Sequence, residues 1–583
     1  MSTLPSMRGW APQAVFGAAT LAAGLSLLAP AQRAEACGGL FCNQNTGVVN
    51  QTAEQIIFSD NQDGTVTAVV QILYNGPADS FSWVLPVPGV PDVEVSSNQA
   101  FARLQAATNP NYQLNRIIEG ECNDNGFGRG GAGNPAPQAD NDGAEEGANN
   151  DPGVTVVGAG SVGPYDYEVI AVDPELEDLA EVAVQWLSDN GYDVTAIGPD
   201  VLRPYLEDGL NLIAFRLNKS SEAGAIRPVV LTYTTDHPMI PIRPTAVAVN
   251  DNMGIMTFVL GQDRAIPGNY RHLEINEAVL NWFNPNSNYA QTINVAADES
   301  GGQGFVTEFA GASSAFAETI FGTFEAENWD RIQGQDWAGR EGQLLAEIAS
   351  SYSGWDGLAE SLDGNIVLPE NVTLAEFAAC IFCFDLVNQS DLEGFEAGTF
   401  LAAIEQNLIE PMRATQALLD SQPYLSRMFT TMSAREMTLD PSFLFNTSLP
   451  DVNNVHVADQ TIECSPEFSQ FDAPWRVELA QGVVVRGQGQ VWPFDTEGEL
   501  PANREIRQMG EEGAGDVIAD NTMVINQAIE RSNANFPSPT PSTGGGEVDA
   551  CACAQAPARP ARLPLGLLSL ALVAFGAFIT RRR

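Results

Sequence analysis

The chain has 583 residues, 44% of them apolar, and carries 74 acidic against 27 basic side chains for a formal net charge of −47. So acidic a surface excludes nucleic acid as a partner, because displacing counterions from phosphates takes Lys and Arg, and it repels anionic lipid headgroups as well. The apolar share is high enough to fill real cores, and the length predicts two or three domains.

Residues 1–36 read as an export signal. Arg8 gives a thin positive start, Ala14 to Leu28 is an apolar run too short to anchor, and Ala34-Glu35-Ala36 is a small-x-small cleavage site before Cys37. Lipidation of Cys37 is the competing reading; Ala34 stands where that signal takes Leu, and ordinary secretion is favoured. Export brings an oxidising compartment, and the six body cysteines (Cys37, Cys42, Cys122, Cys380, Cys383 and Cys464) are an even number. Fifteen pairings are open; the expected local ones are Cys37 with Cys42 and Cys380 with Cys383.

The body reads as α+β. A β-rich, sandwich-like mixed domain is expected over 37–300, a mainly helical domain over 301–470 and a strand-containing segment over 471–531. EQIIFS and TVTAVVQILY flank Asp60-Asn-Gln-Asp-Gly64, a hairpin signal, and FSWVLPVP is extended. Residues 122–153, dominated by Gly, Asn, Asp and Pro, offer nothing with which to form a core and are predicted to be disordered. VTVVGAGSVG (Val154 to Gly163) has the G-x-G-x-x-G of a dinucleotide turn, which requires a helix to start at the glycines so that its N–H groups hold the pyrophosphate. Here Pro164-Tyr-Asp-Tyr and the strand-like YEVIAV follow directly, so the stretch is predicted to be a strand-to-strand turn, and no cofactor is expected. A helix is predicted to start at Asp173-Pro-Glu and stop at Asn190-Gly191. Further strands are expected at 211–217, 228–235 and Thr245 to Val249, and in IMTFVLG. From 312 to 436 the apolar spacing turns helical in GQLLAEIASSY, LAEFAACIFCFDLV and AGTFLAAIEQNL. SQPYLSRMFTTMSAREM is read as one more short helix, and 474–495 as strands.

Residues 532–550 form a Pro/Ser/Gly stalk. The tail, 551–583, holds Cys551 and Cys553, an apolar stretch over 563–580 that would rise roughly 27 Å as a helix, and Arg581-Arg582-Arg583. That helix is expected to cross the membrane with the arginines inside and the body outside. The order of Cys, helix and basic end resembles the Myxo-CTERM sorting tail of myxobacterial surface proteins. The resemblance implies a membrane processing protease acting near Cys551 or Cys553. Along the body, ACGGLFC (Ala36 to Cys42), FSWVLPVPGVPDVEV (Phe81 to Val95), SVGPYDYEVI (Ser161 to Ile170), WLSDNGY (Trp186 to Tyr192), HPMIPIRPTAVAV (His237 to Val249), RAIPGNY (Arg264 to Tyr270), GFVTEFAG (Gly304 to Gly311) and LPDVNNVH (Leu449 to His456) together resemble an uncharacterised secreted family of myxobacteria and relatives, domain of unknown function number 2330. The likeness spans roughly residues 36–510 and implies no activity.

Chemical signals are few. Three histidines, His237, His272 and His456, stand in no H-E-x-x-H or zinc spacing, and no G-x-S-x-G elbow occurs. Asp236-His237, or His456 with Asp459, are the candidate catalytic pairs of a hydrolase acting on extracellular polymer. Cys380-Ile-Phe-Cys383 has redox spacing but sits inside an apolar helical stretch, which favours a structural role. Asp140 to Glu146 offers oxygen ligands to Ca²⁺ without the spacing of a Ca²⁺ loop, and no other metal or cofactor is expected. The favoured reading is a surface-anchored module for binding, adhesion or envelope structure, meeting an extracellular protein or polysaccharide, with the hydrolase and a Ca²⁺-dependent adhesin as alternatives.

Overall fold

The computed structural model describes residues 50–75, 82–123, 153–192, 198–217, 226–247, 249–495 and 498–536. β1 (Asn50–Asp60) and β2 (Thr65–Asn75) form the hairpin expected from the Asp-Gly turn. Gly64 takes φ 86°, and Asp63 Oδ1 accepts from the Thr65 N–H at 2.9 Å and from its hydroxyl at 2.6 Å. β3 (Ser82–Val87) and β4 (Asp92–Val95) lead to a helix, Asn98–Thr108, and to β5 (Asn111–Glu119). β6 (Val154–Val162) and β7 (Tyr165–Val172) are the two arms of the glycine-rich motif, paired antiparallel with Val162 opposite Tyr165. Gly163 turns the chain at φ 52°, where a Cβ would meet the methyls of Val95 at 3.0 Å. The motif is therefore a hairpin, and no helix starts at its glycines.

The remaining strands are β8 (Asn211–Leu217), β9 (Val229–Thr234), β10 (Val249–Gly261), β11 (Arg264–Pro267), β12 (Arg271–Ile275) and β13 (Gly304–Ala312), then β14 (Tyr424–Met432) and β15 (Phe443–Asn446). β16 (Val455–Glu463), β17 (Pro474–Glu478), β18 (Val484–Gln488), β19 (Asn503–Gln508) and β20 (Asp516–Asp520) complete them. A ten-stranded mixed sheet runs β20-β19-β12-β13-β14-β10-β1-β2-β9-β4. Two four-stranded sheets, β3-β8-β7-β6 and β18-β17-β16-β5, accompany it, with β11 and β15 paired by themselves.

Strand periodicity makes the large sheet a middle layer. Ile56, Phe58, Ala68 and Val70 point to one core, closed by Trp83, Val169, Ile213 and Phe215 of the β3-β8-β7-β6 sheet and by Ala183 and Leu187 of the helix Leu179–Asp189. Ile57, Val69, Phe258 and Leu260 point to the other, closed by Trp329, Leu344, Ile348, Phe400 and Met412 from helices between 323 and 421. The fold is mixed α/β, β-rich early with helices later, and sandwich-like on one face of the sheet alone.

Several expectations are corrected. Segments 37–300, 301–470 and 471–531 do not separate: the large sheet takes strands from all three, and the described residues lie in one compact unit. Tyr424–Met432, read as helix, is strand β14 between β13 and β10. It is buried on both faces, so its polar-apolar alternation is lost and period alone cannot tell it from a helix. Pro244–Val247 is a short 3₁₀ turn and the strand starts at Val249, in keeping with the preference of Pro for a first helical turn. The helix expected from Asp173 begins at Leu179, because the Asp173 carboxylate accepts from the Glu175 N–H at 3.0 Å and holds a turn there. The helix Leu374–Ala379 ends before Cys380, so the Cys380–Cys383 disulfide lies beyond its C-terminus. A second disulfide, Cys122–Cys464, ties the ends of β5 and β16. Cys37, Cys42, the Asp140–Glu146 loop, Cys551, Cys553, the 563–580 stretch and Arg581 to Arg583 lie outside the described residues. Among the described residues no helix is long and apolar enough to cross a membrane.

Candidate functional site

A cavity of about 470 Å³ opens where the β12-β13-β19 end of the large sheet meets the β18-β17-β16-β5 sheet. Parallel pairing of β5 with β16 sets Tyr112 beside His456, and their rings stack at 4.5 Å and 18°. His456 Nδ1 lies 2.7 Å from Glu277 Oε1. Glu277 starts a 3₁₀ turn fixed by buried Asn276, whose Oδ1 accepts from the Ala278 N–H at 3.1 Å and whose Nδ2 donates to the Pro501 carbonyl at 2.9 Å. The carboxylate fixes the imidazole's direction, the arrangement a general base requires. Asp459, the expected partner, is three residues along the strand and thus on its opposite face, where it accepts from Asn115 Nδ2 at 3.0 Å.

Beside this pair, the Tyr289 hydroxyl donates to Glu308 Oε1 at 2.5 Å, and Glu308 Oε2 lies 2.6 Å from Arg427 Nε. Burial, and then the Glu308 charge, hold the Tyr289 hydroxyl well above the usual range; burial, then Glu277 and Glu308, do the same to Tyr112. Both hydroxyls are therefore neutral, that of Tyr289 with its proton committed to Glu308. His272, on β12, is partly accessible at the cavity wall with its Nδ1 3.5 Å from the Thr307 hydroxyl. Burial, then the charges of Arg264 and Arg507, push its pKa down to about 3, so it is a neutral imidazole at physiological pH. The lining residues include neither Ser nor Cys; their hydroxyls are those of Thr307, Thr522, Tyr112 and Tyr289.

Of the two candidate bases, His456 lies in this cavity and His237 does not: it is exposed in the loop after β9, with no ion pair among the described residues. Asp236 is exposed with it. No cluster of three or more His, Cys, Asp and Glu is placed to hold a metal among the described residues. Tyr112, Glu277 and Tyr289 stand in none of the quoted strings; Arg264 and Glu308 fall within RAIPGNY and GFVTEFAG, which carry the family resemblance and mark no chemistry. The elements that bring the five together are distant along the chain.

Residues 30–324 match the model of DUF2330, described as an uncharacterized protein conserved in bacteria. The chain belongs to this family. No curated protein and no solved structure matches it. The DUF2330 match takes in Tyr112, Arg264, His272, Glu277, Tyr289 and Glu308; His456, Arg504 and Arg507 lie beyond it.

Proposed function

We propose that this DUF2330 protein is exported, held at the cell surface through its C-terminal tail, and uses the cavity between its sheets to bind a small polar solute. The single observation that carries the binding part is the cavity itself. Its volume is that of a small-molecule site, and an aromatic pair, fixed neutral hydroxyls and charged groups converge on it. Export and anchoring rest on residues 1–36 and on the Cys, apolar stretch and arginines of 551–583, read as a myxobacterial-type sorting tail cut by a membrane protease. Two disulfides in the body are in keeping with an oxidising compartment. The solute then comes from extracellular protein or polysaccharide.

The test is thermal unfolding of the detergent-solubilised full chain against a panel of saccharides and small organic acids. A ligand at about 100 times its Kd stabilises by about 2.7 kcal/mol, and Tyr112→Ala removes that shift. If no solute moves the midpoint, the binding reading fails. Protease shaving of intact cells checks location: a body protected from external protease contradicts surface display.

One observation favours a second reading, hydrolysis by an activated water, namely the His456–Glu277 pair facing the same cavity. On that reading His456→Gln abolishes turnover of an extracellular polymer while solute affinity is retained.

A further inference from the structure

The charges around the cavity are nearly all matched. Arg504 pairs with Glu274, Arg507 with Glu505 at 2.5 Å, and Glu308 with Arg427; Glu277 takes the His456 contact. Arg264 is the exception. It lies on β11 and in the cavity wall, is 5% exposed, and has no carboxylate within ion-pair distance among the described residues. Its Nη1 donates to the Pro450 carbonyl at 2.8 Å, and its buried Nε has no partner. Asp451, a carboxylate whose charge acts on it, already accepts from the Tyr424 hydroxyl at 2.7 Å.

The other arginines buried to this degree, Arg227 and Arg427, each hold a carboxylate, Glu360 at 3.0 Å and Glu308 at 2.6 Å. An unpaired buried guanidinium is a costly arrangement that a fold keeps when something else supplies the negative charge. Arg264 lines a space also lined by Thr307 and the neutral His272, which bring hydrogen-bonding capacity without adding positive charge. Guanidinium forks match the geometry of carboxylate, phosphate and sulfate.

We infer that the cavity takes a ligand bearing an oxyanion, and that Arg264, flanked by His272 and Thr307, is the residue that neutralises it. The inference rests on the cavity being a solute site, and names the ligand's charge. The three oxyanion sources share this chemistry and are separated by the probes.

Isothermal titration of the detergent-solubilised full chain, at constant ionic strength, uses inorganic phosphate, sulfate, succinate and glucuronate, with glucose and maltose as neutral comparators. At least one oxyanion is expected to bind, and the probe that does identifies the source. Arg264→Lys is expected to weaken it about tenfold or more, since the ammonium keeps the charge and loses the fork. Arg264→Met is expected to abolish anion binding. Because this substitution removes an unpaired buried charge, the free protein should unfold at an unchanged or higher temperature. That outcome separates a ligand-binding arginine from a structural one. Anion binding unchanged in Arg264→Met overturns the inference, as does a large fall in its midpoint together with anion affinity equal to the parent's. If the neutral sugars bind and no oxyanion does, the inference is wrong while the cavity remains a solute site. If nothing binds, both readings fall.

Discussion

Replacing Arg427 by Met tests what holds the cavity's back wall. Arg427 sits at the centre of β14, 2% exposed at its side chain against 1% for Glu308, so the pair is fully withdrawn from water. Arg427 Nη1 also donates to the Thr108 hydroxyl at 2.8 Å and the Gln105 carbonyl at 3.1 Å, and Nη2 to Asn109 Oδ1 at 2.8 Å. The guanidinium thus closes the end of the helix Asn98–Thr108 against the sheet, while Glu308 orients Tyr289 in the cavity. Removing one member leaves Glu308 charged and buried, with the Tyr289 hydroxyl as its remaining hydrogen bond. A broken buried pair costs about 3–5 kcal/mol, and the lost helix-end bonds leave acceptors unsatisfied as well. Arg427→Met should therefore lower stability by about 3–5 kcal/mol, read as a shift in the urea midpoint by tryptophan fluorescence. Adding Glu308→Leu removes the stranded charge and should recover about 1–4 kcal/mol of that loss. A single variant within about 1 kcal/mol of the parent, or a double variant less stable than the single, would falsify the view that a desolvated pair dominates this wall.

Three further outcomes follow from the fold. Cys122→Ser opens a disulfide spanning 342 residues, and its loss should cost about 2–5 kcal/mol; Cys380→Ser with Cys383→Ser opens a far shorter loop and should cost less, and equal midpoints for the two would refute the loop-length account. Gly487→Ala puts a Cβ 2.3 Å from the ring of Trp475, which stacks on Trp492 at 5.4 Å, so overpacking should destabilise by about 1–3 kcal/mol and redden the tryptophan emission; unchanged emission and stability would contradict it. His272 stays neutral in the fold down to about pH 3, whereas in the unfolded chain it takes up a proton below about pH 6.5. Stability it contributes is thus full above that pH and lost as pH falls towards 3, by at most about 1.4 kcal/mol per pH unit. His272→Gln should flatten the acid limb of the stability curve relative to the parent; identical slopes would show that the imidazole is not held neutral.

Local chemistry wrote much of this fold into the sequence. The Asp-Gly turn and its β-branched arms specify the β1-β2 hairpin, and the strand-like YEVIAV directly after Gly163 marks the glycine-rich stretch as a strand-to-strand turn. The apolar spacing of GQLLAEIASSY specifies the helix Glu341–Tyr352. Each of these rests on hydrogen bonds and side-chain periods spanning a few residues, so a short window contains the whole cause. β14 shows where that fails, because burial on both faces erases the alternation that marks a strand.

The candidate site belongs wholly to tertiary structure. His456 could be singled out as one of three histidines, but its partner was sought three residues away and is Glu277, 179 positions distant, reached because β16 lies parallel to β5 and the 3₁₀ turn after β12 comes up beside it. Arg264 opens RAIPGNY, a string that carries the family resemblance and says nothing of charge pairing; what sets the residue apart is the carboxylate that does not stand beside it, a property of packing. Sequence alone determined the acidic charge, the Asp-Gly hairpin and the helix Glu341–Tyr352, since these depend on composition and near neighbours. Which charges are paired, which hydroxyls stay protonated and where a cavity remains were decided when distant strands came together, because those properties depend on desolvation, and desolvation belongs to the assembled core.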